Sequence, residues 1–161
     1  MTKYKTFFKL ITFCPNLQIG VVSDSVDTQL VLELSKELFL HEGILNLYEI
    51  SDETISIIHN MKLQNVNVTK ILNINELELP SREFEFIIVI NCFEQSDFEK
   101  LLTKCYNSLE LVADIAIIEK NNHVEQIKDV LDITNFKSPN EIDILENSFL
   151  VKAKKLQMWC N

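Results

Sequence analysis

The stretch 17–31, LQIGVVSDSVDTQLV, reads as a short strand, a tight loop and the opening of a helix. In open α/β sheets a loop at that junction holds nucleotide-like ligands, and glycine usually builds it so that backbone N–H groups can approach. Here the loop carries valine, serine and aspartate, and Asp24 or Ser25 can instead cap the following helix through a side-chain oxygen. Glu49 ends the next predicted strand, on the edge where such sheets bind ligands, and is the best single candidate for accepting hydrogen bonds from ligand hydroxyls. Cys92 ends a later apolar strand. It could act as a nucleophile only with a lowered pKa, and no adjacent Lys, Arg or His supplies that, so a buried thiol is expected. Phe93 and Tyr48 could line an apolar pocket, with core packing the simpler role for both.

Several chemistries have no motif behind them. There is no G-x-x-x-x-G-K-[ST] loop, no complete G-x-G-x-x-G and no G-x-S-x-G elbow. His41, His59 and His123 are isolated and lack metal-ligand spacing, so no metal is expected. Cys14, Cys92, Cys105 and Cys160 form no C-x-x-C pair, and reduced thiols are the expectation. With a formal net charge of −9 the surface disfavours phosphate backbones, so nucleic acid is not an expected partner. The start, MTKYKTFFKLITFCPN, mimics a secretory leader, but Lys9 interrupts the apolar run and no small-residue cleavage site follows. It is expected to form an N-terminal helix over 1–14 that packs Phe7, Leu10 and Ile11 on the core. No segment is long and apolar enough to cross a bilayer, and a cytoplasmic location is expected.

The elements that must position these residues follow from periodicity. A strand at 17–21 leads to a helix from Ser25 with Val26, Leu30, Val31, Leu34 and Leu38 on one face, stopped by Gly43. A strand at 44–50 leads to a helix capped by Ser51, with Asp52 and Glu53 at its positive end and Ile55, Ile58 and Met61 on its buried face. Strands at 66–72, 86–92 and 113–119 follow, with helices over 97–111 and around Val124, Ile127, Val130 and Leu131. The almost unbroken β-branched run 86–92 suits a central parallel strand. The end, EIDILENSFLVKAKKLQ, reads as a hairpin turning at Glu146-Asn147-Ser148. Lys152, Lys154 and Lys155 are expected to keep the last strand soluble, with anion binding as the alternative. The expected fold is a single doubly wound α/β domain over 1–161, with a mostly parallel sheet, helices on both faces and a C-terminal antiparallel hairpin.

This order of elements resembles the class I S-adenosylmethionine-dependent methyltransferase fold. LQIGVVSDS is similar to the family's first motif, L-E-I-G-x-G-x-G. LNLYEIS is similar to its second strand, NINELELPSREFEFIIVI to its G-D-x-x-x-L-P and F-D stretch, and NSFLVKAKK to its final strand. The resemblance implies S-adenosylmethionine as cofactor, with Gly20 and Asp24 at the methionine end, Glu49 on the ribose, Asn75 on the adenine and Asn91 at the start of the D/N-P-P-Y motif. The chain departs from that pattern at Gln18 (an acid in the family), at Val22 and Asp24 (glycines) and at Glu85 (aspartate). Cys92-Phe93-Glu94 does not continue the last motif. A Val22 side chain would project into the glycine space or force another turn, and Asp24 would repel the cofactor's carboxylate.

The expected function is a methyltransferase-like protein with lost or altered cofactor binding that acts by binding a small molecule or a protein partner. The alternative is an active methyltransferase on a small molecule, with no catalytic residue identified. A third possibility is an assembly role through the C-terminal LQMWC, whose Met158 and Trp159 are costly to leave exposed.

Overall fold

A computed structural model describes residues 3–156, so Met158, Trp159 and Cys160 lie outside the described residues. A short helix, α1 (Lys5–Phe8), precedes β1 (Gln18–Ser23), α2 (Thr28–Phe39), β2 (Ile44–Glu49), α3 (Asp52–Met61) and β3 (Val66–Lys70). Then come a 3-10 turn (Ile74–Glu76), β4 (Phe84–Ile90), α4 (Phe98–Ser108), β5 (Leu109–Glu119), α5 (Val124–Ile133), β6 (Lys137–Glu141) and β7 (Phe149–Leu156). The seven strands form one sheet in the order β3-β2-β1-β4-β5-β7-β6. β1 pairs in parallel with β2 and β4, β2 with β3 and β4 with β5, whereas β7 runs antiparallel to β5 and β6.

Alternation along the strands explains the two cores. From β1, Ile19 and Val21 face one layer with Leu30, Val31, Leu34 and Leu38 of α2 and Ile58 of α3. Val22 faces the other, with Leu101, Leu102 and Cys105 of α4 and Ile127 and Leu131 of α5. β4 supplies both layers, which is why its sequence shows no polar face. Gly20 sits under the ring of Phe84, where an added Cβ would lie 3.1 Å from ring carbons. The chain winds one way from β1 to β3 and the other way from β4 to β5. The carboxyl ends of β1 and β4 therefore flank the point where the winding reverses, and ligands of doubly wound sheets enter there.

Several expected boundaries shift. The N-terminal helix shrinks to α1, with Phe7 and Ile11 buried and Leu10 only half-buried. β3 ends at Lys70 rather than 72, β4 ends at Ile90 rather than 92, and α4 gives way to β5 at Leu109. The left-handed residue after α2 is Glu42, at φ 57°. Gly43 is needed instead for close approach, since an added Cβ would lie 2.9 Å from the Leu17 carbonyl. The hairpin pairs Lys137–Glu141 with β7, so 142–148 is a connecting loop rather than a strand and turn. Lys155 is buried and not a solubilising residue. Its ammonium donates to the carbonyls of Tyr106 (2.7 Å) and Leu109 (2.8 Å) and lies over the Tyr106 ring. No helix among the described residues is long and apolar enough to cross a membrane.

Candidate functional site

β1 does not stop where a glycine loop would begin. Val21, Val22 and Ser23 continue the strand, paired with Leu47, Tyr48 and Glu49 on one side and with Ile88, Val89 and Ile90 on the other. β-branched residues favour this extended backbone. Val22 is fully buried in the core, so it neither projects into the loop nor sets its turn. Gly20 lies inside the strand, three residues before its end.

The loop that follows folds back on Glu49. Ser25 adopts φ 61°, a left-handed conformation that serine adopts at some cost. Its N–H meets Glu49 Oε2 at 2.9 Å, and the Val26 N–H meets Oε1 at 2.8 Å. The Ser23 hydroxyl donates to Oε1 at 3.0 Å, and the N–H groups of Ile50 and Ser51 donate to Oε2 at 2.7 and 2.9 Å. Five donors of the chain thus converge on one carboxylate with no exposed surface. An ionised carboxylate offers about four lone-pair sites, and donors of the chain itself already converge on them.

Neither Asp24 nor Ser25 caps α2. Asp27 does, accepting from the Gln29 N–H at 2.9 Å. The same carboxylate receives the Tyr4 hydroxyl at 2.5 Å and the Lys3 ammonium at 3.0 Å, tying the N-terminal segment to the helix start. Burial pushes the Asp27 carboxyl up, but these three donors outweigh it and hold it below its usual range. Asp24 bridges two loops instead. Its N–H donates to the Ile90 carbonyl at 3.1 Å, and its side chain accepts from Gln95.

The two asparagines part company. Asn91, at φ 55°, accepts the Lys120 N–H on its side-chain oxygen at 3.0 Å, joining the loops after β4 and β5. Asn75 is exposed on the 3-10 turn and accepts the Asp97 N–H at 3.0 Å, one residue before α4. Cys92 is fully buried, with Sγ 3.3 Å from the Ile90 carbonyl, and burial raises its thiol well above the usual value. Phe93 packs edge-on to Phe98 at 5.0 Å, while the His123 ring stacks on it at 4.5 Å. His123 is therefore not isolated in space: its Nε2 lies 2.7 Å from Glu94. Hydrogen bonds from His123 and then Asn121 hold the Glu94 carboxyl below its usual range. No group of three metal-ligating side chains occurs among the described residues.

A cavity of about 870 Å³ opens at the carboxyl ends of β1, β4 and β5, between the N-terminal segment and the 142–148 loop. Ser25, Asn91 and Lys120 line it, as do Tyr4 and Asp27. Of the residues singled out by the resemblance, only Asn91 reaches it. Asp27, Tyr4 and Lys120 carried no motif. Asp27 alone had a local signal, an aspartate just before the apolar helix face.

No protein-family model matches the sequence, and none of the curated proteins matches it. Solved structures are similar in shape. A SAM-dependent methyltransferase from Aquifex aeolicus superposes with a TM-score of 0.78 at 18% identity, covering 94% of this chain and 89% of that one. A methyltransferase from Mesorhizobium loti gives 0.73 at 8% identity, covering 96% and 98%. A putative methyltransferase from Haloferax volcanii, solved with the Trm112 activator, gives 0.76 at 7% identity, covering 97% and 90%. Together with the strand order, these likenesses assign the class I S-adenosylmethionine-dependent methyltransferase-like fold.

Proposed function

We propose that this chain is a methyltransferase-like binding protein whose cofactor site is closed by its own loop, and that it acts by taking a small molecule into the 870 Å³ cavity. The observation that carries this reading is the five-donor engagement of Glu49. Were the family's cofactor to bind as the resemblance implies, its ribose hydroxyls would have to displace backbone N–H groups from a buried carboxylate. Each displaced donor would then need a new partner or be left unsatisfied. Val22 and Ser23, held in β1, offer no free loop amides, and Asp24 adds negative charge beside the position implied for the cofactor's carboxylate. The residues present do not fit S-adenosylmethionine.

A small ligand is preferred to a protein partner because the open polar and apolar groups line a concavity of ligand size. The Haloferax volcanii neighbour, solved with an activator protein, supports the partner reading as the second choice.

Calorimetric titration with S-adenosylmethionine and S-adenosylhomocysteine tests the proposal. Folded wild-type protein should give no heat with either. Submillimolar binding that disappears in Glu49→Gln would overturn the closed-site reading in favour of an active methyltransferase on a small molecule.

A further inference from the structure

α2 carries a buried carboxylate that the chain leaves unanswered. Glu33 is 5% exposed, and among the described residues neither of its side-chain oxygens has a hydrogen-bond or ion-pair partner. The other buried carboxylates are answered, Glu49 by its five donors and Glu119 by the Phe93 N–H at 3.5 Å. Buried polar groups are nearly always hydrogen-bonded, and an orphaned carboxylate opposes whatever covers it.

The N-terminal segment lies on this side of α2. Asp27, Leu30 and Glu33 recur at every third residue, so they follow one another along one side of the helix. The buried Tyr4 bonds to Asp27, the first of that row. Burial and then Asp27 push the Tyr4 hydroxyl up, and the Glu33 charge adds to the rise, so Glu33 is within electrostatic reach of the same residue. Phe7, Phe8 and Ile11 continue into the core layer that holds Leu30 and Leu34. α1 is only four residues long and has no side-chain cap, so it has little stability of its own. Residues 3–11 thus rest on α2 with a favourable anchor at Asp27 and an unfavourable contact at Glu33.

We propose that residues 3–11 are a releasable strap, latched on Asp27 by Tyr4 and Lys3 and kept near release by the buried Glu33. Opening returns the Glu33 carboxylate to water. Against that stand the two bonds to Asp27 and the exposure of Phe7, Phe8 and Ile11. Lys3, Tyr4 and Thr6 also line the large cavity, so release removes part of its wall. Control of ligand entry by the strap rests on the small-molecule reading above, whereas the release itself does not.

Native-state hydrogen exchange and limited trypsin digestion of the full chain test the strap. The reporters are the amides of Phe8, Leu10 and Ile11, which bond within the segment, and cleavage after the exposed Lys5 and Lys9. In wild type these amides should exchange about tenfold faster than those of β4, or more, because the segment opens without the sheet. Glu33→Met keeps the side-chain length and the helix propensity. It should slow exchange and cleavage about tenfold, since opening no longer frees a buried carboxylate. Glu33→Gln, which removes only the charge, should slow them less, and Asp27→Asn should quicken both. Equal exchange of the segment and β4 in wild type overturns the strap. Unchanged or faster opening in Glu33→Met overturns the role of Glu33, and with it the proposal. Neither readout uses a ligand, so heat with S-adenosylmethionine that is lost in Glu49→Gln overturns the closed-site reading alone, and these rates decide the strap alone.

Discussion

The Ser25 N–H donates to the Glu49 carboxylate at 2.9 Å, across 24 residues of sequence. This bond and the Val26 bond beside it turn the loop after β1 inward, onto the end of β2. An acidic residue that resembles a ligand-reading group thereby becomes the centre on which two loops are built.

Glu49→Ala should cost about 2 kcal/mol or more, because it strands the buried Val26 N–H and the part-buried N–H groups of Ser25 and Ser51, which otherwise share a charged acceptor. Glu49→Gln should cost less, since one acceptor oxygen stays in place. Urea denaturation followed by circular dichroism measures both. An unchanged midpoint in the alanine variant would show that the loop does not depend on the carboxylate.

Gly20→Ala should lose about 1–2 kcal/mol through overpacking, because the new methyl would lie 3.1 Å from the Phe84 ring. Phe84→Leu in the same chain should recover part of that loss by removing the ring, and a double-mutant cycle reads the coupling. Strict additivity would mean that the strand shifts rather than the ring resists.

Asp27 should shape the acid limb of stability. Its carboxyl is held below its usual range when folded, so the folded state binds this proton less readily than the unfolded chain. The contribution is complete above the unfolded pKa of about 4 and is lost as pH falls through the lower folded value. Asp27→Asn should therefore be less stable than wild type at neutral pH and should close that gap at the acid end. Parallel curves across the whole range would contradict the assignment.

Thiol chemistry should follow burial. Cys92 and Cys105 are fully buried, and burial pushes the Cys105 thiol up to about 12, so both should resist alkylation in the native state. Cys14 is half-buried and should react before either. Mass spectrometry of iodoacetamide-treated protein at mildly alkaline pH gives the order, and early labelling of Cys92 would place an open site at the end of β4.

Much of this was legible in the chain itself. Periodicity located each major helix and the central strands, because side-chain burial repeats with the geometry of the element that carries it. The β-branched run of β4 marked a strand covered on both faces, and Ser51 marked the start of α3, where its hydroxyl accepts from the Thr54 N–H at 3.2 Å. Glu49 was recognisable as the acid at a strand's carboxyl end.

What these residues do once placed was decided only in three dimensions. Glu49 is satisfied by Ser23, Ser25 and Val26 of a neighbouring strand and loop. Asp27 answers to Tyr4 and Lys3, and Asn91 to Lys120, more than twenty residues away in each case. Local propensity and hydrophobic period report which face of an element is buried. They carry no information about which distant donor a polar group will meet, because that depends on strand order and register. Here the order β2-β1-β4-β5-β7 set Ser23 against Glu49 and Glu119 against Phe149. The first pairing seated the loop after β1 on Glu49, and the second set Lys120 next to the 142–148 loop.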